Sequence, residues 1–124
     1  MNTPINLKEK SAKLDEYWSP RVLGELDDSY YAKIAKLKGS LAWHSHDEED
    51  ELFIVIDGQL KIEMKDQTVE LSAGDMYIVP KGVMHNPIAE EECSVFIFEK
   101  KETKHTGNTE TGKTRSIEEQ LRSI

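Results

Sequence analysis

The sequence predicts an all-β protein whose short strands close into a sandwich or barrel. Three observations carry that expectation. Turn-forming clusters interrupt the middle of the chain roughly every eight to twelve residues. The segments between them alternate, as Leu60, Ile62 and Met64 do against Lys61 and Glu63. No strand–helix–strand alternation and no repeat of solenoid length is visible. At 124 residues the chain has the size of one domain and can bury one modest core.

Taken in order, residues 5–14 are polar with scattered aliphatics and read as a short helix or a first strand. Trp18-Ser19-Pro20 breaks that segment. Arg21–Leu26 and Tyr30–Leu37 form a hairpin about Asp27-Asp28-Ser29. In its second arm Tyr31, Lys33, Ala35 and Leu37 share one face and Tyr30, Ala32, Ile34 and Lys36 the other, and pattern alone does not choose the inward face. Lys38-Gly39 reads as a turn into a strand over 40–46 that puts Ala42, His44 and His46 on one face. Glu51–Ile56 follows and ends at Asp57-Gly58, a hairpin signal, before Gln59–Met64. Asp66-Gln67 turns into Thr68–Leu71, and Ala73-Gly74-Asp75 into Met76–Val79, which Pro80-Lys81-Gly82 stops. His85–Ile88 and Ser94–Phe98 are the last two strands.

Leu52–Ile56, Met76–Val79 and Val95–Phe98 are apolar on both faces, so an outer cover is expected as well as a core. The N-terminal hairpin and a second subunit, in a homodimer whose N-terminal strands extend the partner's sheet, would supply it. Residues 1–100 are assigned to the barrel and 101–124 to a charged tail. That tail reads as loose up to Arg115, then as a short helix capped by Ser116 with Glu119 three residues on.

Composition excludes several classes. A net charge of −8 and a pI of about 5.0 oppose nucleic-acid binding, which needs clustered Lys and Arg. The longest apolar runs are about half a dozen residues, short of the ~20 a spanning helix requires, so no membrane partner is expected. Met1-Asn2-Thr3-Pro4 lacks a basic patch followed by an apolar run, and the single cysteine, Cys93, allows no internal disulfide. The expectation is a cytoplasmic protein. The acidic run Asp47–Asp50 reads as a solvated loop, Cys93 beside Glu91 and Glu92 is disfavoured as a nucleophile, and Trp43 and Tyr77 read as packing groups.

Chemistry concentrates in the histidines. Of four in the chain, His44 and His46 lie two apart and so project from one face of an extended segment. Glu51 returns after the acidic loop, and His85 arrives from a separate segment. Read together, His44, His46, Glu51 and His85 form one metal site. Three imidazoles and a carboxylate suit Zn, Fe, Mn, Ni, Co or Cu, whereas Ca and Mg sites want oxygen and Fe–S or Cu(I) sites want thiolate. His105 falls outside these motifs, and no general acid or base can be selected among the Tyr, Lys and Glu side chains.

These residues resemble the cupin superfamily. In the first cupin motif a glycine precedes His-x-His, then a glutamate and a second glycine follow; His44-x-His46, four residues, Glu51, six residues and Gly58 match, while Gly39 stands one position nearer than the consensus. In the second motif Gly74, five residues, Pro80-x-Gly82, two residues and His85 match. Its closing asparagine is replaced by Ala89, although Asn86 directly follows the histidine. Tyr17-Trp18-Ser19-Pro20 and Thr106-Gly107-Asn108 also look like a group of small single-domain bacterial cupins. The resemblance implies a double-stranded β-helix, or jelly-roll barrel, with His44, His46, Glu51 and His85 as metal ligands and a small molecule in the barrel. It is compatible with a sugar-like isomerase or epimerase, with an Fe(II) dioxygenase, or with a non-catalytic metal and small-molecule sensing module.

Overall fold

In a computed structural model, which describes residues 3–124, the chain runs α1 (Leu7–Ala12), β1 (Arg21–Leu26), β2 (Tyr30–Ser40), β3 (Glu51–Asp57), β4 (Gln59–Met64), β5 (Thr68–Ser72), β6 (Met76–Val79), β7 (His85–Lys100) and α2 (Ile117–Gln120). The first two residues of the opening Met1-Asn2-Thr3-Pro4 segment lie outside the described residues. All strand pairings are antiparallel. One set of neighbours runs β1-β2-β7-β3-β6, while β4 joins β5 to the other end of β7. This is the jelly-roll arrangement the resemblance implied, and one of the all-β barrels expected from the alternation. Among the described residues no helix is long and apolar enough to cross a membrane.

Local chemistry explains the ends of these elements. Residues 5–14 resolve as a helix because Asn6 caps it, its side chain accepting the Glu9 N–H at 3.0 Å. Asp27 and Asp28 both take positive φ, 52° and 54°, and the Ser29 N–H donates to the Leu26 carbonyl at 3.0 Å. Hairpin turns of this hand need positive φ at both central residues, and aspartate tolerates it. The predicted β1–β2 hairpin therefore forms.

Four expectations are corrected. Lys38-Gly39 is a bulge rather than a turn: β2 continues to Ser40, with its register against β7 shifting between Leu37 and Gly39. Residues 40–46 do not form a regular strand. Ser40 pairs with Ile88 but His44 pairs with His85, a slip of one residue that interrupts the ladder and leaves His44 as an isolated bridge. Asp57-Gly58 does not close a β3–β4 hairpin. β3 pairs with β6 and β7 and β4 with β5 and β7, so this turn carries the chain from one sheet to the other. Lastly, His85–Ile88 and Ser94–Phe98 are the two halves of one strand, β7, which serves β4 with its first half and β3 with its second.

The core is formed by inward-facing residues of both sheets, among them Leu37, Phe53, Val55, Leu60, Ile62, Leu71, Val79 and Val95. Trp18 closes it at one end and donates its Nε1–H to the Lys38 carbonyl at 2.7 Å. The outer face behaves differently from the expectation of a hairpin cover. The β1–β2 hairpin joins the sheet edgewise, so Met76 and Ile78 stay exposed and Leu52, Ile54, Phe96 and Phe98 half-buried.

Residues 101–124 are not loose. Thr103, Thr106 and Gln120 are buried, and Thr106 Oγ1 bonds Thr114 Oγ1 at 2.7 Å. The Gly107 backbone presses against the Ser45 carbonyl so closely that a Cβ there would lie 2.0 Å from the oxygen. Asn108 donates to Asp47 at 3.2 Å, Lys113 donates to the Ser40 carbonyl, and Arg21 donates to the Ser123 carbonyl at 3.1 Å. The α2 capping box forms as read from Ser116 and Glu119.

The crossover at Gly58 gives a direct test. Gly58 has φ +85°, and a Cβ there would lie 2.7 Å from the Glu92 carbonyl oxygen, a backbone atom that cannot swing away. Gly58→Ala should lower stability by at least ~1–2 kcal/mol, read as a fall in the urea midpoint with unchanged m-value.

Candidate metal centre

Three chain segments converge on one spot. His85 is the first residue of β7 and Glu51 the first of β3. His44 is fixed to His85 through the backbone: its N–H donates to the His85 carbonyl at 3.0 Å and the His85 N–H donates back at 2.9 Å. His46, two residues on, is held by the Gly82 N–H donating to its carbonyl at 2.8 Å. Across the acidic loop, Asp50 accepts the Lys81 N–H at 2.8 Å, so this loop is anchored rather than merely solvated.

The side chains bring one donor atom each to within 4.8 Å of one another, and all four residues are buried. The ring centroids of His44 and His85 lie 4.3 Å apart, those of His44 and His46 5.0 Å, and those of His46 and His85 5.7 Å. Metal bonds of roughly 2.0–2.2 Å to imidazole nitrogen and carboxylate oxygen need donors gathered on this scale. His44 directs its Nδ1 at the Ala42 carbonyl, 2.8 Å away, and His85 directs its Nδ1 at the Val83 carbonyl, 3.0 Å away. Each Nδ1 therefore carries the proton, and each Nε2 lone pair is left free. Among the described residues, both His46 ring nitrogens, His85 Nε2 and Glu51 Oε1 are buried without a hydrogen-bond partner. A buried polar atom without a partner costs about 1–3 kcal/mol, and a cation among these residues would satisfy one His46 nitrogen, His85 Nε2 and Glu51 Oε1 together. The residues present could hold a metal ion.

The electrostatics favour the forms that ligate. Burial pushes the His44 imidazole down to about 4, so it is neutral at physiological pH. Burial alone would raise the Glu51 carboxyl, but interactions with His46 and His85, and then with Glu99, outweigh it and hold Glu51 well below the usual range. Glu51 Oε1 lies 3.5 Å from both His46 Nε2 and His85 Nε2.

Several residues that sequence reasoning did not place at the site lie beside it. Glu99 sits one step beyond the Leu52↔Phe98 pair and so opposite Glu51. Burial, and then the Glu51 charge, push the Glu99 carboxyl well above its ordinary range. Its Oε2 receives a 2.6 Å bond from Lys33 Nζ, and Lys33 Nζ also donates to Gln120 Oε1 at 2.7 Å. The signal for Lys33 and Glu99 was present in the register. Lys33 continues the face of Ala35 and Leu37, and Glu99 that of Val95 and Ile97, which are the inward faces. Nothing local marks Gln120 or His105.

His105 accepts the Arg115 N–H on Nδ1 at 2.9 Å, and burial pushes its ring down to about 4. It lines, with His44, Glu51, Leu37, Phe53 and Ile97, a cavity of about 30 Å³. Cys93 is buried and pushed up to about 12 by burial and by Asp57, in keeping with an unreactive thiol. Tyr77 packs on the core as expected, whereas Trp43 is exposed.

The chain is thus an antiparallel jelly roll with a buried His-His-Glu-His cluster that could hold a metal ion. Residues 32–99, more than half of the chain, match the cupin domain family model, and the chain belongs to the cupin family. It is 45% identical to a cupin-2 domain-containing protein from Shewanella frigidimarina NCIMB 400, with a TM-score of 0.76 over 78% of this chain and 94% of that one. Protein NMB1881 from Neisseria meningitidis is 30% identical, with a TM-score of 0.72 over 79% of this chain and 99% of that one. The uncharacterized protein YdbB of Bacillus subtilis (strain 168) is 38% identical over 80 residues, which span 64% of this chain and 64% of YdbB.

The two depressed histidines set an acid response. Between pH 6.5 and about 4 the unfolded chain binds protons at positions 44 and 105 that the folded state refuses, so folding is favoured above this window and loses stability as pH falls through it. Glu99 acts oppositely above pH 4.5, because its folded carboxyl retains a proton the unfolded one releases. Urea midpoints of metal-free protein should fall from pH 6.5 to 4. The fall should be shallower in His105→Gln, which removes one of the two depressed rings.

Proposed function

We propose that His44, His46, Glu51 and His85 hold one divalent transition metal, and that the protein is a metal-dependent enzyme acting on a small molecule. The observation that carries this reading is the set of buried, partnerless donor atoms of three different segments facing one another. A cation bound by four protein donors, with positions to spare, supplies Lewis-acid or redox chemistry. The protein's own part is orientation and exclusion of water. The Ala42 and Val83 carbonyls fix two imidazole tautomers, and apolar walls of Leu37, Phe53 and Ile97 dry the adjacent space. His105, with Nδ1 engaged, leaves its Nε2–H as the group available to a ligand in that cavity.

About 30 Å³ accommodates one or two water-sized molecules, against the ~300 Å³ or more of a pocket for a drug-sized ligand. Both enzyme readings, an Fe(II) dioxygenase and an isomerase or epimerase of a sugar-like substrate, therefore need this space to widen before an organic substrate can enter. The second reading is a module that holds metal and a small ligand without turnover. It is favoured by the lack of a carboxylate or lysine facing this cavity apart from Glu51. The buried, disulfide-free Cys93 suits a reducing, cytoplasmic setting.

Protein purified without chelator or affinity-tag metal should contain about one equivalent of transition metal per chain, and His46→Ala and His85→Ala roughly a tenth of that. Metal-free wild-type protein that also takes up no Zn²⁺, Fe²⁺ or Co²⁺ would end this reading. O₂ consumption by the Fe²⁺-loaded protein, screened beside sugar-phosphate isomerisation with each metal, separates the enzyme readings from the non-catalytic one.

We also propose a homodimer. Met76 at 57% and Ile78 at 45% exposure continue the apolar stripe of Leu52, Ile54, Phe96 and Phe98 across three adjacent strands, and the free edge of β1 is available to extend a partner's sheet. Sedimentation at micromolar concentration should give a dimer, and Ile78→Lys a monomer that keeps its strand content. A monomeric wild type would reject this assembly.

A further inference from the structure

The metal cluster is bordered on one side by a buried polar row that ends in the C-terminal helix. Glu99 of β7 stands opposite Glu51 of β3, one step beyond the Leu52↔Phe98 pair, with both residues buried, and its Oε2 is 2.6 Å from Lys33 Nζ of β2, which in turn is 2.7 Å from Gln120 Oε1 of α2. Lys33 and Glu99 are only 1% and 3% exposed at their side chains, and Gln120 is 2% exposed. Gln120 Nε2 donates to the Arg115 carbonyl at 3.1 Å, and the Arg115 N–H donates to His105 at 2.9 Å. One short segment thus terminates the row behind Glu51 and also holds the imidazole that lines the cavity beside it.

We propose that Lys33, Glu99 and Gln120 are positioning residues for the ligand Glu51, and that docking of residues 101–124 and metal binding are thermodynamically coupled. The proposal rests on the metal reading above. Its physical basis is the cost of a buried ammonium, several kcal/mol unless partners surround it. Lys33 has Glu99 and Gln120 as its named partners, both reached inside the protein. Without Gln120 the ammonium keeps Glu99 as its one named partner and leans on it further. Drawing Glu99 toward Lys33 changes what faces Glu51 across the β3–β7 pair. The same row read in reverse couples the sites the other way. A cation that fixes Glu51 fixes Glu99 and Lys33, and so the receptor for Gln120. Linkage requires the two effects to be equal.

The test uses the full chain and Zn²⁺ or Co²⁺ alone. Gln120→Leu should weaken Zn²⁺ binding by roughly 10- to 100-fold, the range for outer partners of metal ligands. It should also shift the visible absorption of the Co²⁺ form. Gln120→Glu, which keeps an acceptor for Lys33, should restore both, with circular dichroism showing all variants folded. In wild-type protein, Zn²⁺ should slow hydrogen exchange at the amides of Gln120 and Leu121, which bond Ser116 and Ile117. Should Gln120→Leu fail to fold, the exchange measurement on wild type decides alone. Wild type that binds Zn²⁺ with the same affinity as folded Gln120→Leu, or whose α2 amides exchange identically with and without Zn²⁺, overturns the coupling and leaves the metal reading standing. Wild type that binds neither ion overturns both.

Discussion

The two backbone hydrogen bonds between His44 and His85 are the constraint on which the site depends. Residues 41–46 leave the regular ladder after Ser40, and a segment released from a strand would ordinarily wander. The bridge holds it at His44, and the Gly82 N–H holds it again at His46. It ties the His-x-His loop to the first residue of β7, so two imidazoles from distant chain positions share one backbone anchor. A one-residue register slip makes this possible, because it turns the His44 side chain onto the face where His85 already points. The rest of the cluster needs little more: His46 follows at the spacing of an extended chain, and Glu51 begins the strand that pairs with β6 and β7.

A polar cluster inside a barrel core is costly, and its surroundings show how the cost is contained. Apolar residues from Leu37, Phe53 and Ile97 wall one side. Carbonyls of Ala42 and Val83 occupy the outward nitrogens of two rings. Behind Glu51, Lys33 Nζ donates both to Glu99 and to Gln120, so that an ammonium, a carboxyl and an amide meet with little solvent. Burial depresses His44 and leaves it neutral, and neutral imidazole is the form a cation needs. The same dehydration that makes these groups expensive thus prepares them to ligate.

The C-terminal segment gives the barrel a feature its strands lack. Charge and Thr content suggest solvation, yet residues 101–124 lie across the His-x-His loop through Gly107, Asn108 and Lys113, and return to the start of the barrel through Arg21 and Ser123. Gly107 is needed here for space rather than for conformation alone, since the Ser45 carbonyl occupies the volume of any side chain. Closing the mouth in this way leaves a very small space beside the cluster, and that is why the segment bears on what ligand can reach it.

Much of this was legible in the chain itself. Alternation along β4, the Asp27-Asp28 turn, the Ser116 cap and the spacing of His44, His46, Glu51 and His85 all follow from short-range chemistry, where neighbouring residues set backbone angles and faces. What failed to be legible depended on partners far along the chain. Asp57-Gly58 has the dihedral chemistry of a hairpin, but which strand receives the next residues is decided by burial of β4 against β7, so the turn becomes a crossover. Lys33 and Glu99 alternate inward by register, yet a charge tolerates an inward position only when another side chain meets it, and Gln120 lies 87 residues from Lys33. The types and spacings of the candidate metal-site residues were therefore determined by sequence alone. Their convergence, their dehydration and the docked tail beside them were decided only by tertiary structure, because each arises from contacts that no local pattern encodes.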